Sequence, residues 1–256
     1  MPTQNPVFQC AMARTAGWWR CATSRYRKLP DFLIIGAQRS GTSTLYQTVA
    51  RHPDVRGAFR KEVHYFDTYY DRGLNWYRAN FPFNGFTGES SPSYLVHPDV
   101  PARVKAVLPD VKLIAILRNP VERAYSAYNR NVRRQRESRP FAEAIAGGPT
   151  LEFAYLERGL YAEQIERWLQ HFRREQLLVL SAEAFFKNAP MDRVWNFLGL
   201  PAWSGDAALQ RWIKEKYSYG RYAEMDEAVR RKLTDHFRPH NERLYRLVGE
   251  NFGWES

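Results

Sequence analysis

Residues 32–46 read Phe-Leu-Ile-Ile-Gly-Ala-Gln-Arg-Ser-Gly-Thr-Ser-Thr-Leu-Tyr. They pass from a short apolar run, typical of a buried strand, through a loop rich in glycine and hydroxyl groups into a helix-like segment. This order is the layout of a phosphate-binding loop, in which the N–H groups at the start of a helix face an anion. The stretch therefore predicts an anion site between a strand and a helix.

The loop differs from an ATP-binding loop at one position. Gly36 and Gly41 have the spacing of the Walker A motif, but Thr42 stands where that motif needs lysine. A cation comes earlier, at Arg39. Backbone donors, a guanidinium and hydroxyl groups can still hold a terminal anionic group. We predict a phosphate-like donor other than Mg-ATP, bound by Arg39, Ser40, Gly41, Thr42, Ser43 and Thr44.

Strand-like and helix-like segments alternate along the chain. Aliphatic runs predict buried parallel strands at 31–36, 111–117 and 176–181. Helices are predicted at 42–51, 98–107, 120–136, 161–173, 190–198, 206–215 and 226–248. The alternation predicts a single-domain α/β fold of the P-loop-like type, with three α/β/α layers and a central, mostly parallel sheet. Ligands of such sheets bind beyond the carboxyl ends of the strands.

Composition limits the class of protein. The chain has 256 residues, of which 44% are hydrophobic, enough for one sizeable core. Its two cysteines, Cys10 and Cys21, give neither a disulfide framework nor a metal-ligand cluster. The net charge of +11 indicates attraction to anions. Because the sequence contains no apolar run of membrane-spanning length and no signal-peptide pattern, we predict a cytoplasmic protein.

The first residues differ in composition from the rest. Residues 1–29 are predicted to be a loosely ordered basic segment ahead of a main domain at 30–256. Their tryptophans, Trp18 and Trp19, together with basic residues could make a weak peripheral contact with a membrane, although a frayed basic tail is commoner. The sequence leaves the oligomeric state open.

A second anion site is predicted where the second strand ends, at Leu117-Arg118-Asn119-Pro120. A P-loop NTPase usually places an aspartate there to hold Mg²⁺, so an arginine predicts an anion instead. Ser126 lies two turns into the next helix, and Arg118 and Ser126 can therefore contact one phosphate together. Several more arginines follow up to Arg139, and this excess is typical of a solvated helix face; a face that meets an acidic donor or acceptor is the alternative.

Residues 61–67 read Lys-Glu-Val-His-Tyr-Phe-Asp. Glu62 and His64 lie on the same side of an extended chain, and shielding by the aromatic neighbours would make the carboxylate more basic. We predict that Glu62 is a general base for a hydroxyl group, with His64 or Asp67 orienting it. An edge strand with ordinary polar residues is equally compatible with this segment. Residues 88–94 offer hydroxyl groups for a pocket wall.

With these motifs together, the chain resembles the PAPS-dependent sulfotransferases, in particular bacterial proteins akin to heparan sulfate 3-O-sulfotransferases and N-deacetylase/N-sulfotransferases. The resemblance runs from about residue 30 to Trp254. It implies that the loop holds the 5′-phosphosulfate of 3′-phosphoadenosine 5′-phosphosulfate (PAPS) and that Arg118 and Ser126 hold the 3′-phosphate. It also implies that Glu62 is the catalytic base, supported by His64 and Asp67. By the same resemblance, a loop that covers the nucleotide contains Gly220 and Arg221.

The chain departs from that family at three places. Arg39 stands where members often have lysine, Ser90 stands where the heparan sulfate enzymes have a catalytic lysine, and their carboxyl-terminal cysteine pair is absent. Arginine keeps the charge of lysine but not its point-like reach. These departures weaken the inference of a heparan-like acceptor and leave donor binding unaffected.

The activity implied by the resemblance is in-line transfer of a sulfuryl group from PAPS to a hydroxyl or amine, leaving 3′,5′-bisphosphoadenosine (PAP), without a metal. The acceptor is expected to be a carbohydrate, with a lipid, a polyketide or another small alcohol as the alternative. A P-loop kinase or NTPase is a rival that the missing loop lysine disfavours. A basic nucleic-acid-binding module is another, but no helix-turn-helix, zinc or RNA-stacking pattern supports it, so no nucleic-acid partner is predicted.

Overall fold

A computed structural model describes residues 19–146, 154–188, 191–203, 211–213, 215 and 223–255. Within these ranges the centre is a parallel sheet with the strand order β2-β1-β3-β4. Its strands are β1 (Phe32–Gly36), β2 (Gly88–Ser90), β3 (Lys112–Leu117) and β4 (Leu177–Ser181). The helices that surround it are α1 (Thr42–Val49), α2 (Gly73–Arg78), α3 (Val100–Val107), α4 (Pro120–Arg133), α5 (Phe141–Ala146), α6 (Tyr161–Leu169), α7 (Ala182–Asn188), α8 (Met191–Leu198) and α9 (Glu227–Val248).

The register of the sheet fixes where its functional edge lies. Leu33 of β1 pairs with Glu89 of β2 and with Leu113 of β3, and Leu113 pairs with Leu177 of β4, all in parallel. The carboxyl ends of the strands therefore share one edge. The loops that follow β1 and β3 leave the sheet at this edge, as the sequence predicts.

Alternate side chains of the strands enter two separate cores, one on each face of the sheet. Leu33, Ile35 and Leu113 pack with Tyr77 and Trp168 on one face. On the other face, residues such as Ile34, Ile114, Phe185 and Trp195 form the second core. Because strand side chains alternate in direction, two apolar faces require a helical layer on each side. The three-layer α/β/α arrangement predicted from the sequence is confirmed.

The helix boundaries follow local signals. Asn119 caps α4, because its side chain accepts a hydrogen bond from the N–H of Val121 at 3.0 Å, and Pro120 occupies the first helical position. Helix α8 ends ahead of Gly199, whose φ is +74°. The helix predicted at 206–215 lies mostly outside the described residues, which include helical residues only at 211–213 and 215.

Four short elements differ from the sequence prediction, and one of them is helix α2, for which no helix is predicted. β2 lies at the start of the predicted pocket wall, where no strand is predicted, and its three residues are too few to show an alternating pattern. Helix α5 lies in a segment where no helix is predicted, and its residues Phe141 and Ala144, three apart, are buried. Helix α7 follows β4 without an intervening loop and buries Phe185 and Phe186. Tertiary packing, rather than local propensity, forms these elements.

The described part of the basic amino-terminal segment is packed on the domain. Arg27 is buried and donates a hydrogen bond to the carbonyl oxygen of Phe81 at 2.9 Å. Residues 1–18 lie outside the described residues, and the division at residue 30 stays a prediction. Of the helices that the structure describes, none has both the length and the apolar surface needed to cross a membrane.

Candidate active site

The loop between β1 and α1 has the backbone shape of an anion site. Gly41 has a φ of +96°, and a Cβ atom there would lie 2.6 Å from the ring of Phe186, so glycine is required. Arg39 also has a left-handed φ, of +73°. The buried hydroxyl residues of this stretch are Ser40, Thr42 and Thr44. Because α1 starts at Thr42, the unsatisfied N–H groups of its first turn point toward the loop.

The second predicted anion site is in contact with this loop. The guanidinium of Arg39 donates to the hydroxyl of Ser126 from Nε at 3.1 Å and from Nη2 at 3.0 Å. Arg118, which follows β3 directly, approaches the carbonyl oxygen of Arg39 with Nη1 at 3.5 Å. It also lies 3.7 Å from the carboxylate of Glu122. The structure thus brings Arg39 and Arg118, the cationic residues of the two predicted anion sites, together with Ser126 at one place on the rim.

The predicted base Glu62 and the two residues predicted to support it form a row of alternating charge. His64 lies between two carboxylates, with Nε2 3.4 Å from Glu62 and Nδ1 3.1 Å from Asp67. Hydrogen bonds to Asp67 and then to Glu62 raise the pKa of His64 to about 10. The hydrogen bond with His64, and Lys61 beside it, lower the pKa of Glu62 to about 2 despite partial burial. The prediction that shielding makes this carboxylate more basic is therefore wrong, because its charged neighbours outweigh burial. At neutral pH the imidazole is therefore charged and both carboxylates are ionised.

This charge row makes stability depend on pH. The folded pKa of His64 is raised to about 10, above the usual value of about 6.5, so its charged form stabilises the fold fully below about pH 6.5. The contribution should fall as pH rises toward 10. Denaturant unfolding of the wild type and of His64→Asn should give a stability difference that shrinks over this range. A difference that stays constant with pH would contradict a charged imidazole in the folded protein.

The segment 61–67 is held in place by residues 89–94. Glu89 is fully buried, and its carboxylate accepts hydrogen bonds from Tyr77 and Tyr94, each at 2.9 Å, and from Ser91 at 2.6 Å. The same carboxylate accepts the backbone N–H of Val63 at 3.1 Å. Burial raises the pKa of Glu89, but four donors on two oxygens fit an ionised carboxylate. Sequence reasoning missed Glu89, because residues 88–94 were interpreted only as hydroxyl groups for a pocket wall.

Further contacts join the same two segments. The N–H of Ser90 donates to the carbonyl oxygen of Lys61 at 2.8 Å, and the N–H of His64 donates to the hydroxyl of Ser91 at 3.0 Å. The hydroxyl of Ser93 donates to Asp67 at 2.5 Å. His64 has a φ of +56°, which is uncommon for a residue with a side chain, and these contacts hold it there. The predicted pocket wall is thus the support of the predicted base.

Lys61 connects the predicted base to the loop. Its ammonium group donates to the hydroxyl of Ser43 at 2.6 Å and forms an ion pair with Glu62. Ser43 belongs to the first turn of α1, next to the predicted phosphate site. No role is predicted for this lysine from the sequence, because only the fold shows that residue 61 faces residue 43.

The excess of arginine after β3 lines a cavity of about 230 Å³ beside the loop. Its arginines are Arg39, Arg123, Arg130, Arg134, Arg136 and Arg158, and its lining contains no acidic residue. Arg123 is only 1% exposed, and burial lowers its pKa to about 10. Nε and Nη1 of Arg123 have no hydrogen-bond partner within the described residues. The cavity therefore supports the alternative prediction of a surface that meets an acidic group over that of a solvated face.

The carboxyl-terminal tail reaches the same rim. Trp254 donates from Nε1 to Glu183 at 3.2 Å, and its carbonyl oxygen accepts from the side chain of Asn119 at 3.3 Å. Gly220 and Arg221 lie outside the described residues. In the part of the chain that the structure describes, no cluster of three or more histidine, cysteine or acidic side chains could hold a metal ion.

Fold and site together define the class: an α/β protein with an anion loop after its first strand, a second basic site after the neighbouring strand and a carboxylate beside them. The domain model described as "Sulfotransferase domain" matches residues 29–244. The chain therefore belongs to the sulfotransferase family, as the resemblance implied.

Three known proteins illustrate this membership. Human heparan sulfate glucosamine 3-O-sulfotransferase 3A1 is 34% identical over 267 residues, which cover 90% of this chain and 63% of that protein. The mouse bifunctional heparan sulfate N-deacetylase/N-sulfotransferase 1 is 32% identical over 86% of this chain and 30% of its own length. The crystal structure of a sulfotransferase from Alicyclobacillus acidocaldarius is 30% identical, with a TM-score of 0.73, and the match covers 90% of this chain and 100% of that one.

Proposed function

We propose that the chain transfers a sulfuryl group from PAPS to a hydroxyl group of a carbohydrate. The acceptor oxygen forms a bond to sulfur while the bond between sulfur and the 5′-phosphate oxygen breaks, and the bonding electron pair stays on that oxygen. The products are a sulfate ester and PAP, and the acceptor proton goes to Glu62. The observation that carries the proposal is the contact between Arg39 and Ser126, which joins the loop to the second anion site.

The donor would occupy the rim between these two sites. Backbone donors of the loop with Ser40, Gly41, Thr42, Ser43 and Thr44 would hold the 5′-phosphosulfate, while Arg118 and Ser126 would hold the 3′-phosphate. Arg39 would stabilise the charge that grows on the leaving phosphate oxygen. By the family resemblance, Gly220 and Arg221 would also bind the nucleotide. Arg39 and Ser126 would contact different phosphate groups of the donor, so the hydrogen bonds between them would be replaced when the donor binds.

Glu62 would serve as the general base, oriented by His64 and, through it, by Asp67. The low pKa of Glu62 keeps it ionised over the whole neutral range, and the charged His64 fixes its direction. The segment needs no metal ion, since arginine, lysine and helix N–H groups supply positive charge. The metal-free reaction and the cytoplasmic location stay predictions.

The arginine-lined cavity favours an acceptor that carries acid groups. It opens beside Arg39 and includes Arg130, whose charge interacts with that of Glu62. A carboxylate or sulfate group in this cavity would place a neighbouring hydroxyl near the base. Two of the relatives described above act on heparan sulfate, an acidic carbohydrate, in agreement with this charge. The chain spans less than two thirds of the length of the human relative, so its acceptor is inferred from the cavity.

The proposal predicts donor-dependent sulfation of an acidic carbohydrate. Purified protein incubated with radiolabelled PAPS should label heparan sulfate well above an uncharged polysaccharide of similar length, since only the former complements the six arginines of the cavity. A hydrophobic small alcohol tests the alternative acceptor class, and ATP-Mg tests the alternative donor. Transfer to the alcohol alone would exclude a carbohydrate acceptor, and phosphoryl transfer from ATP would exclude the sulfotransferase activity.

A further inference from the structure

The ammonium group of Lys61 lies between the two halves of the candidate active site. On one side it donates to the hydroxyl of Ser43, at 2.6 Å, in the first turn of the helix that follows the loop. On the other side it is paired with the carboxylate of Glu62. The side chain is 22% exposed, so it is reachable from the cleft and partly shielded from bulk water.

The backbone of Lys61 is fixed even though its side chain is flexible. Its carbonyl oxygen accepts a hydrogen bond from the N–H of Ser90 at 2.8 Å. Two residues further on, the N–H of Val63 donates to the buried carboxylate of Glu89. A lysine stem has several rotatable bonds and ends in a compact charge. From a fixed backbone, the ammonium group can therefore exchange one anionic partner for another by a small rotation.

We propose, on the basis of the sulfotransferase function above, that Lys61 is a further catalytic residue, whose ammonium group leaves Glu62 and binds the sulfuryl oxygens when the donor occupies the loop. An anion held by Ser43 lies within reach of the same ammonium group that Ser43 now contacts. The sulfuryl group must pass from the loop toward the base, and the ammonium group lies between the two. A positive charge at this position stabilises the negative charge of the sulfuryl oxygens in the transition state, because the ammonium group is already in place when the transfer begins.

The exchange also changes the base. Glu62 faces three cationic groups: Lys61, His64 and, from helix α4, Arg130. Loss of one of them raises the affinity of the carboxylate for a proton, which a general base needs. Occupation of the donor loop would in this way make Glu62 a stronger base at the moment when a sulfuryl group is available.

The test compares Lys61→Met, Lys61→Arg and the control Lys232→Met, an exposed lysine of α9. The assay uses radiolabelled PAPS with the acceptor that the wild type labels fastest. Lys61→Met should lower kcat by about 100-fold or more, the usual effect of removing one preorganised donor, and Lys61→Arg should recover part of it. The affinity for PAP, measured by calorimetry, should change by less than about twofold, because PAP has no sulfuryl group. Lys232→Met should match the wild type.

A second readout separates catalysis from structure. In Lys61→Met the acidic limb of the pH profile of kcat/KM should move to higher pH, because Glu62 has lost a cationic neighbour while His64 and Arg130 remain. A kcat within about threefold of the wild type would overturn the proposal, and so would an equal loss of PAP affinity and kcat, which indicates a damaged loop. If the wild type itself transfers no sulfuryl group, the proposed function fails as well. If the wild type transfers the sulfuryl group and Lys61→Met does so at the same rate, only the inference about Lys61 fails.

Discussion

Glu62→Gln is expected to lower kcat by about 100- to 10,000-fold, the range that general base catalysis contributes. The amide has the size of the carboxylate but cannot accept the proton of the acceptor hydroxyl. PAP affinity should stay within about twofold, because the amide does not touch the loop that would hold the nucleotide. Turnover with radiolabelled PAPS and calorimetry with PAP measure the two quantities on the same preparation.

The control for this variant is Glu242→Gln, an exposed glutamate of helix α9 that lies outside the proposed site. It loses the same charge and should keep both turnover and PAP affinity. Turnover of Glu62→Gln close to that of the wild type would show that another group takes the proton. A matching fall in PAP affinity would show instead that Glu62 supports the loop, through Lys61 and Ser43.

Arg118→Ala is expected to weaken PAP binding by about 10- to 100-fold. The arginine is 7% exposed, and a charge-assisted hydrogen bond lost in such an environment costs about 1.5–3 kcal/mol. Calorimetry with PAP, and with adenosine 5′-phosphate as a second ligand, measures the effect. The loss should be large for PAP and small for the ligand without a 3′-phosphate, because Arg118 and Ser126 would bind that group.

Arg133→Ala is the matched control, since Arg133 is exposed at the end of the same helix as Ser126 and does not line the arginine cavity. It should bind both ligands like the wild type. If Arg118→Ala loses affinity equally for both ligands, the arginine binds the 5′-phosphate or holds the loop in place. Unchanged PAP affinity would remove Arg118 from the nucleotide site.

The parts of the fold that could be predicted from the sequence are those with strong local patterns. The apolar runs of β1, β3 and β4 end in Gly36, Leu117 and Ser181, within one residue of their predicted limits. Parallel strands then place their carboxyl ends on one edge, so the loops after β1 and β3 could be predicted to be neighbours. The contact between Arg39 and Ser126 was not predicted. Caps such as Asn119 contact residues next to them in the chain, so they too leave a local signal in the sequence.

The remaining site features depend on contacts between distant segments. Glu89 looks like an ordinary polar residue until β2 pairs with β1 and buries it under Tyr77 and Tyr94. Lys61 gains its position only when the loop before it meets α1. Arg123 follows the spacing of a solvated helix face, but segment 154–158 covers it. None of these contacts has a signal at short range in the sequence.

The hydrogen bonds of Glu89 have a consequence for engineering. They make residues 61–67 and 89–94 a single interlocking unit, although 21 residues separate the two in the chain. A chimaera that imports a new acceptor preference from a related enzyme should therefore carry both stretches from the same parent. Transplanting one alone would leave a carboxylate in the interior facing mismatched donors, and the reactive side chains would lose their alignment before any new specificity could be measured.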